Sequence, residues 1–438
     1  MTRTVIFILL LGVPFLGNVP GLRAQRMLSL EEAQQRAHDH AEEVKIARLE
    51  VEHAERGVDI ARTQRLPRLD LTASYTHISE TGGIDLAIPG LISRSIRFGD
   101  GNVYESAITA SVPLFTGFRL ETGQRMQEAQ VAITGAQLKG TETSLHNRVA
   151  IAYRQAQLAL RSRRIYEEQL QYLGAQLDLL KKLQAQGQIL PYDTLLLSTR
   201  MSALRVERAS AHSAYRNARL TVADFGDLDP DFDVSSDVSV TSTLPIEDEE
   251  ALLQAALLQR SDLAVLREMK ALGDQRVRAE KAAYLPALSA FASYRYGKPG
   301  VDQVSNAWMN YYTAGLALQW NLWSWGGDRG RVDQQEIQRQ ETDLRYARLE
   351  RQLRTNIRSL RNDLGVLAET RAMLDDQVRQ ESVKRDLLQA RLSQGLATAT
   401  ELVDAETART TALLRREQSD IQYLIKLTEL ANVIGKDI

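Results

Sequence analysis

Residues 184–200, QAQGQILPYDTLLLSTR, have a counterpart in residues 392–410, LSQGLATATELVDAETART. Each stretch interrupts a helical pattern with a glycine and places an acid six residues later: Gly187 and Asp193 in the first, Gly395 and Glu401 in the second. A glycine there marks a helix end, because it reaches the left-handed backbone region without steric cost. Pro191 suits the first turn of a returning helix. Both stretches therefore read as tight turns between antiparallel helices.

The two turns are 208 residues apart, and the repetition extends outward from them. SVPLFTG (111–117) matches QWNLWSW (319–325) at the same offset, and RLPRLDLTASY (65–75) matches YLPALSAFASY (284–294) at an offset of 219. The second half thus has 11 fewer residues between its strands, a difference expected to fall in a loop. Two internal repeats follow, residues 25–225 and 247–438, each reading helix, β-hairpin, long helix, returning helix. Residues 226–246 join them as an irregular, acidic linker.

Each repeat opens with a helical pattern of about ten turns. In the first, Ser29 with Glu32 forms a capping box and Pro67 stops the helix. Its counterpart spans about 247–284 and is stopped by Pro286. Strict alternation then predicts strands. Leu69, Leu71, Ala73 and Tyr75 share one face, as do Ile108, Ala110, Val112 and Leu114. The second hairpin repeats this with Leu288, Ala290, Ala292 and Tyr294, then Leu316, Leu318, Trp320 and Leu322. After each hairpin a long helix shows a seam of 3.5-residue period, the pattern of coiled coils. Leu353, Ile357, Leu360, Leu364, Leu367, Leu374 and Val378 form one seam, with Arg371 at the skipped place. The other is Leu145, Val149, Ala152, Ala156, Ala159, Tyr166 and Leu170, with Arg163 at the matching position. Unbroken over 118–186, such a helix is ~100 Å long.

The bulk properties restrict the function. Fifty-four basic against 56 acidic residues give no field for nucleic acid. Residues 1–24, with Arg3 ahead of an apolar run and Ala24 at the end, read as a signal peptide. There is no cysteine, which excludes disulfides, thiol catalysis and lipoprotein processing. No later segment has the length and apolarity of a membrane-spanning helix. The six histidines are scattered, His38 and His40 falling on different helix faces, so solvated side chains are expected rather than a metal site. DLDPDFD (227–233) lacks the glycine and terminal glutamate of a calcium loop. No phosphate-binding loop, nucleophile elbow or zinc-protease motif occurs, so neither an enzyme nor a cofactor is expected.

Four strands with one apolar and one polar face cannot enclose a lumen, whereas three copies supply twelve and can. Asp70, Thr72, Thr109, Ser111, Ser289 and Gln319 then face water and the apolar residues face lipid. Trp308, Trp320, Trp323 and Trp325 lie in or beside the last strand, as interfacial aromatics would. A small soluble sheet packed on helices fits the same alternation.

These motifs, in this order and twice, resemble the TolC-like outer-membrane efflux family over essentially the whole mature chain. The resemblance implies an α+β membrane protein: a homotrimeric twelve-stranded β-barrel in outer-membrane lipid, continuing into a long periplasmic α-helical coiled-coil barrel. It implies the exit duct of a tripartite efflux or type I secretion system of a Gram-negative cell, exporting small toxic compounds. Partners would be a periplasmic adaptor and an inner-membrane pump of RND, ABC or MFS type. The resemblance makes the turns the periplasmic tips, with Gly187, Gly395 and Leu396 at the adaptor-docking positions. It maps the pore-narrowing acids onto Glu401 and Asp404, with Asp193 and Tyr192 in the matching turn. A ring of such carboxylates would raise their mutual proton affinities. An arginine that can latch the tip in the family falls on Ala397 here. Alternatively, Asp193, Glu401 and Asp404 are ordinary first-turn acids at helix N-termini. A dedicated protein-secretion duct and a non-conducting periplasmic coiled-coil scaffold are the competing functions.

Overall fold

The computed structural model describes residues 26–88, 92–97, 100–238, 248–302 and 306–436; the signal peptide expected over 1–24 lies outside them. In chain order the elements are β1 (Arg26–Leu28), α1 (Leu30–His40), α2 (Glu42–Thr63), β2 (Arg68–His77), β3 (Gly83–Ile88), β4 (Ile92–Arg97) and β5 (Asn102–Phe115). Next come α3 (Arg119–Ala185), α4 (Pro191–Phe225), β6 (Phe232–Val234), α5 (Glu249–Gln259) and α6 (Ser261–Lys281). The chain ends with β7 (Ala287–Lys298), β8 (Met309–Gln319), α7 (Gly327–Ser393) and α8 (Ala399–Ile434). The described residues of Met1–Ala37, Val149–Val240 and Arg371–Ile421 form one compact unit; those of His38–Arg148, Thr241–Thr370 and Gln422–Ile438 form the other.

The opening helix of each half is two helices, not one. Ser29 caps the first as expected, its Oγ accepting the Glu32 N–H at 3.1 Å. The helical path then breaks at Ala41 (ψ 126°) and, 219 residues on, at Arg260 (ψ 129°). Neither site carries glycine or proline, so the break had no local punctuation to betray it. Acids restart the helix in both places, Glu42 and Glu43 in α2 and Asp262 in α6, where negative charge favours a helix N-terminus. Near the first break two of the six histidines, His38 and His146, come together. His38 Nε2 lies 2.8 Å from Arg48 Nη2, and its ring is 5.8 Å from that of His146.

The acidic linker is likewise better ordered than its composition indicates. Its residues Phe232–Val234 pair in parallel with Arg26–Leu28 as β6 and β1. Two tyrosines pin this ribbon: Tyr153 Oη donates to Leu28 O at 2.7 Å and accepts from Ser235 N, and Tyr215 Oη donates to Asp233 at 2.9 Å. Three-residue strands 206 residues apart carry no periodic signal, so only tertiary context creates them.

α3 and α7 each have 67 residues, about 100 Å of helix. Leu145, Val149, Ala152 and Ala156 of the expected seam are buried, as are Leu353, Ile357, Leu360 and Leu364. Beyond them Arg163, Tyr166 and Leu170 are half-buried, while Leu173 and Leu180, seven residues apart on the same spacing, are buried with Gln169 and Gln176 beside them.

β2, β5, β7 and β8 form one antiparallel sheet in the order β2-β5-β7-β8, with β2 and β8 at its edges. Its register places Leu71, Ile108, Tyr294 and Tyr312 in one row and Asp70, Thr109, Ser293 and Thr313 in the next, on the opposite face. Leu71, Leu316 and Leu318 are each exposed by about 70% (72%, 68% and 68%), so nothing among the described residues covers the apolar face. The polar face is laced by Thr109 Oγ1 to Ser293 Oγ at 2.9 Å and Arg295 to Glu105 at 2.9 Å. β8 stops at Gln319, which leaves Trp320 and Leu322 beyond the strand expected to contain them. The extra residues of the first hairpin are not a plain loop either: they carry the β3–β4 hairpin, register Gly83 to Arg97 through Ile88 to Ile92.

Candidate functional site

The paired turns lie in one compact unit and share one chemistry. At the end of α3, Gly187 (φ 72°) sends its N–H to Gln184 O at 2.9 Å, and Gln188 N–H reaches Leu183 O at 3.0 Å. At the end of α7, Gly395 (φ 72°) bonds Leu392 O at 3.0 Å and Leu396 bonds Arg391 O at 2.8 Å. This is the crossed pair of hydrogen bonds that closes a helix on a left-handed residue. It explains the glycine in each stretch.

The acid six residues on caps the returning helix. Asp193 Oδ2 accepts the Leu190 N–H at 3.2 Å, at the start of α4. Glu401 Oε2 accepts both the backbone N–H and the hydroxyl of Thr398, at 2.8 and 3.0 Å, and Thr398 Oγ1 accepts the Glu401 N–H at 3.2 Å. Thr398-x-x-Glu401 is thus a reciprocal capping box, legible as T-x-x-E but not singled out from the sequence. These bonds from Thr398 hold the Glu401 carboxyl below the usual carboxylate range. Within one chain, then, Glu401 binds protons less readily, opposite to the effect expected of a carboxylate ring.

An apolar cluster joins the turns: Leu173 and Leu180 of α3, Leu197, Met201 and Leu204 of α4, Leu392 of α7, and Leu402 and Val403 of α8. Ala397 packs against this cluster, so no charged latch exists at that position. A groove of about 600 Å³ lies between the turns, lined by Leu183, Ile189, Asp193, Leu392, Gly395 and Thr398 among others. Of the expected site residues, Asp193 and Gly395 reach this groove. Tyr192 and Leu396 are each 62% exposed, and Leu190 and Leu195, not foreseen from the sequence, add exposed apolar surface beside Tyr192. Asp404 is exposed one turn beyond Glu401 on α8.

The four tryptophans divide between the two ends of β8. Trp308 joins a cluster with Tyr104 and Tyr296 (ring centroids 5.6 and 5.1 Å), and Tyr75 stacks beyond Tyr104 at 5.0 Å. At the other end Trp323 and Trp325 meet at 5.9 Å, and Trp320 Nε1 donates to Tyr284 O at 3.1 Å. Among the described residues no helix is long and apolar enough to cross a membrane, and no group of three or more acidic or histidine side chains is placed to hold a metal ion.

No curated protein matches the sequence. Solved structures do match the fold. CusC, whose structures address transmembrane channel formation, superposes with a TM-score of 0.77 at 15% identity, over 93% of this chain and 92% of that one. The outer membrane protein VceC of Vibrio cholerae matches with a TM-score of 0.74 at 17% identity, over 93% and 96%. The outer membrane channel MtrE of Neisseria gonorrhoeae gives 0.70 at 16%, over 93% and 89%. The sequence model of the family described as Outer membrane efflux protein covers residues 32–224 and 252–436, and on that match the chain belongs to the outer membrane efflux protein family.

Proposed function

We propose that this chain is the outer-membrane exit duct of a tripartite export system, working as a homotrimer. The observation that carries the reading is the sheet β2-β5-β7-β8. It exposes an apolar face, keeps a hydrogen-bonded polar face and has two open edges. Exposed edges and a bare apolar face are liabilities for a single chain in water. Three copies meeting edge to edge remove both: they close a twelve-stranded barrel, lipid covers the apolar side, and the polar side lines the lumen. The aromatic clusters suit the two interfaces. Twelve residues separate Trp308 from Trp320, about 40 Å along a strand. At a tilt near 45° that is roughly 28 Å, close to the apolar height of such barrels.

On this reading the two halves, 25–225 and 247–438, contribute equivalent parts, and the helices continue the duct into the periplasm. The paired turns are its periplasmic end. Leu190, Tyr192, Leu195 and Leu396 offer the adaptor its apolar contacts around Gly187 and Gly395. Glu401, Asp404 and Asp193 set a negative potential at the narrowest point, and an inner-membrane pump supplies the energy. Small toxic compounds are the cargo.

Two measurements test this. A closed trimeric barrel stays in the membrane through carbonate extraction and migrates as a trimer, whereas a scaffold washes off. In a planar bilayer the purified protein carries a small cation-selective current, and Glu401→Ala with Asp404→Ala weakens that selectivity. A trimer that never conducts overturns the duct.

A further inference from the structure

Five residues beyond the Glu401 cap, α8 buries a charge. Glu406 is 1% exposed, yet it sits between two arginines: Arg385 Nη1 is 3.6 Å from Oε2 and Arg409 Nη1 is 3.5 Å from Oε1. Glu406 Oε1 accepts a long hydrogen bond from Arg409 Nη1 at 3.5 Å and Oε2 accepts none, while Arg385 shares its charge with Asp386, whose Oδ1 is 2.6 Å from Nε. Burial pushes the Glu406 carboxyl above the usual range despite the two guanidinium groups. The node reaches across to α3. Arg385 lies 4.9 Å over the ring of Tyr172, whose hydroxyl donates to Gln389 Oε1 at 3.1 Å. The buried Gln169 donates its Nε2 to Glu406 O at 3.5 Å, and Arg409 Nε donates to Ser382 Oγ at 3.1 Å. Three helices, α3, α7 and α8, therefore meet at one charged point above the apolar cluster of the turns.

Packing does not require charge there. At the matching positions of the α3–α4 hairpin, 208 residues earlier, stand Leu177, Ser198 and Met201, with Met201 inside the apolar cluster. A buried ion pair seldom stabilises more than apolar residues of similar size; its best-attested use is to specify one arrangement over another. An apolar seam tolerates sliding, whereas a charge displaced from its partner is left buried and unpaired.

We propose that Glu406, with Arg385, Arg409 and Tyr172, is a clasp that fixes the α7–α8 hairpin against α3 and so sets the resting separation of the two turns. The proposal rests on the reading of those turns as the gated end of a duct. Moving α7–α8 away from α3 breaks the Arg385–Tyr172 stack and the Tyr172–Gln389 and Gln169–Glu406 bonds together. That makes release all-or-none rather than gradual.

The absence of native cysteine permits a direct test. Spin labels at Gln186→Cys and Gln394→Cys, in a chain diluted into a large excess of unlabelled chain, report the separation of the two turns within one protomer. Conductance is measured on the same variants without labels. Glu406→Gln is expected to lengthen and broaden the distance distribution and to raise conductance about tenfold, as a population shift of that size would. Tyr172→Phe gives a smaller shift of the same sign. Glu406→Gln combined with Arg409→Gln, which restores charge balance, returns part of the way. Distances and current like wild type in Glu406→Gln overturn the clasp, as does a lowered melting temperature with unchanged distances, which marks a purely structural node. If Glu406→Gln does not assemble, Tyr172→Phe and Arg385→Lys decide the matter, since both keep the charge count; unchanged distances in both overturn the proposal. A wild-type protein that never conducts removes the duct reading, but the spin-label distances still judge the clasp.

Discussion

Arg371 Nε lies 2.5 Å from Asp420 Oδ1, tying α7 to α8 at the one place where the leucine seam of α7 is interrupted. The pair is not isolated. Arg416 reaches Asp375 at 2.7 Å, Glu417 at 3.3 Å and Asp420 at 3.8 Å, and Arg161 of α3 pairs with Glu417. Asp420 is 7% exposed, so the arginines take the place of the water its carboxylate would otherwise bind. Asp420→Ala is expected to cost about 1–2 kcal/mol, since it leaves the half-buried guanidinium groups of Arg371 and Arg416 short of an anion. Arg371→Leu together with Asp420→Leu, which completes the apolar seam, is expected to be neutral or stabilising. Thermal melts of the two variants, followed by helical circular dichroism, check both signs; equal losses in both would refute this account.

The capping box at Glu401 predicts a pH dependence. Hydrogen bonds from Thr398 depress the Glu401 carboxyl, so the folded chain holds this proton less tightly than the unfolded chain does. The stability it contributes is therefore fully present above the unfolded carboxylate value, ~4.3. It is lost as pH falls through the lower folded value. Glu401→Gln should lower the melting temperature at neutral pH and make little difference well below pH 4, where both proteins lack the charge. A gap between variant and wild type that stays constant across this range contradicts the assignment.

What the sequence disclosed and what it hid follow from the range of the interactions involved. The alternation of Leu69, Leu71 and Tyr75 against Asp70 and Thr72 is a local signal, and the sheet keeps it. Gly187 and Gly395 were legible because a helix closing on a left-handed residue selects glycine. The breaks at Ala41 and Arg260 were not, since an acid restarting a helix leaves only the faint trace of Glu42 or Asp262. The β1–β6 ribbon hid for another reason: its bonds are made by Tyr153 and Tyr215, residues that look like ordinary members of helical stripes. Glu406 was hidden similarly, because a charge in a helical pattern reads as exposed until its neighbours on other helices are known.

The two faces of the sheet make a prediction that needs no channel recording. Leu316 is on the bare apolar face and Thr313 on the polar one, three residues apart in β8. If lipid covers the first and water the second, Leu316→Arg costs ~2–4 kcal/mol near the membrane midplane and reduces the yield of membrane-inserted trimer. Thr313→Arg leaves assembly intact and shifts the current toward anions. Equal assembly defects in the two variants would mean that the faces are not partitioned between lipid and lumen.

Glycine at the turns is needed for backbone shape alone, which separates it from Gly297 in the sheet. A Cβ built on Gly187 or Gly395 meets no atom within 4 Å, so alanine there suffers only the left-handed backbone, roughly 1–2 kcal/mol. Asparagine, which tolerates that region better, should cost less. At Gly297, inside β7, a Cβ would come within 2.6 Å of the Tyr104 carbonyl oxygen on the neighbouring strand, where neither strand can yield without breaking the ladder. Gly297→Ala should therefore impair sheet assembly outright. Gly395→Ala should instead lower the melting temperature by a few degrees and leave the sheet untouched. Trimer yield in the membrane fraction distinguishes the two: a loss with Gly395→Ala as large as with Gly297→Ala would show that the turn is restricted by contacts, not by backbone conformation.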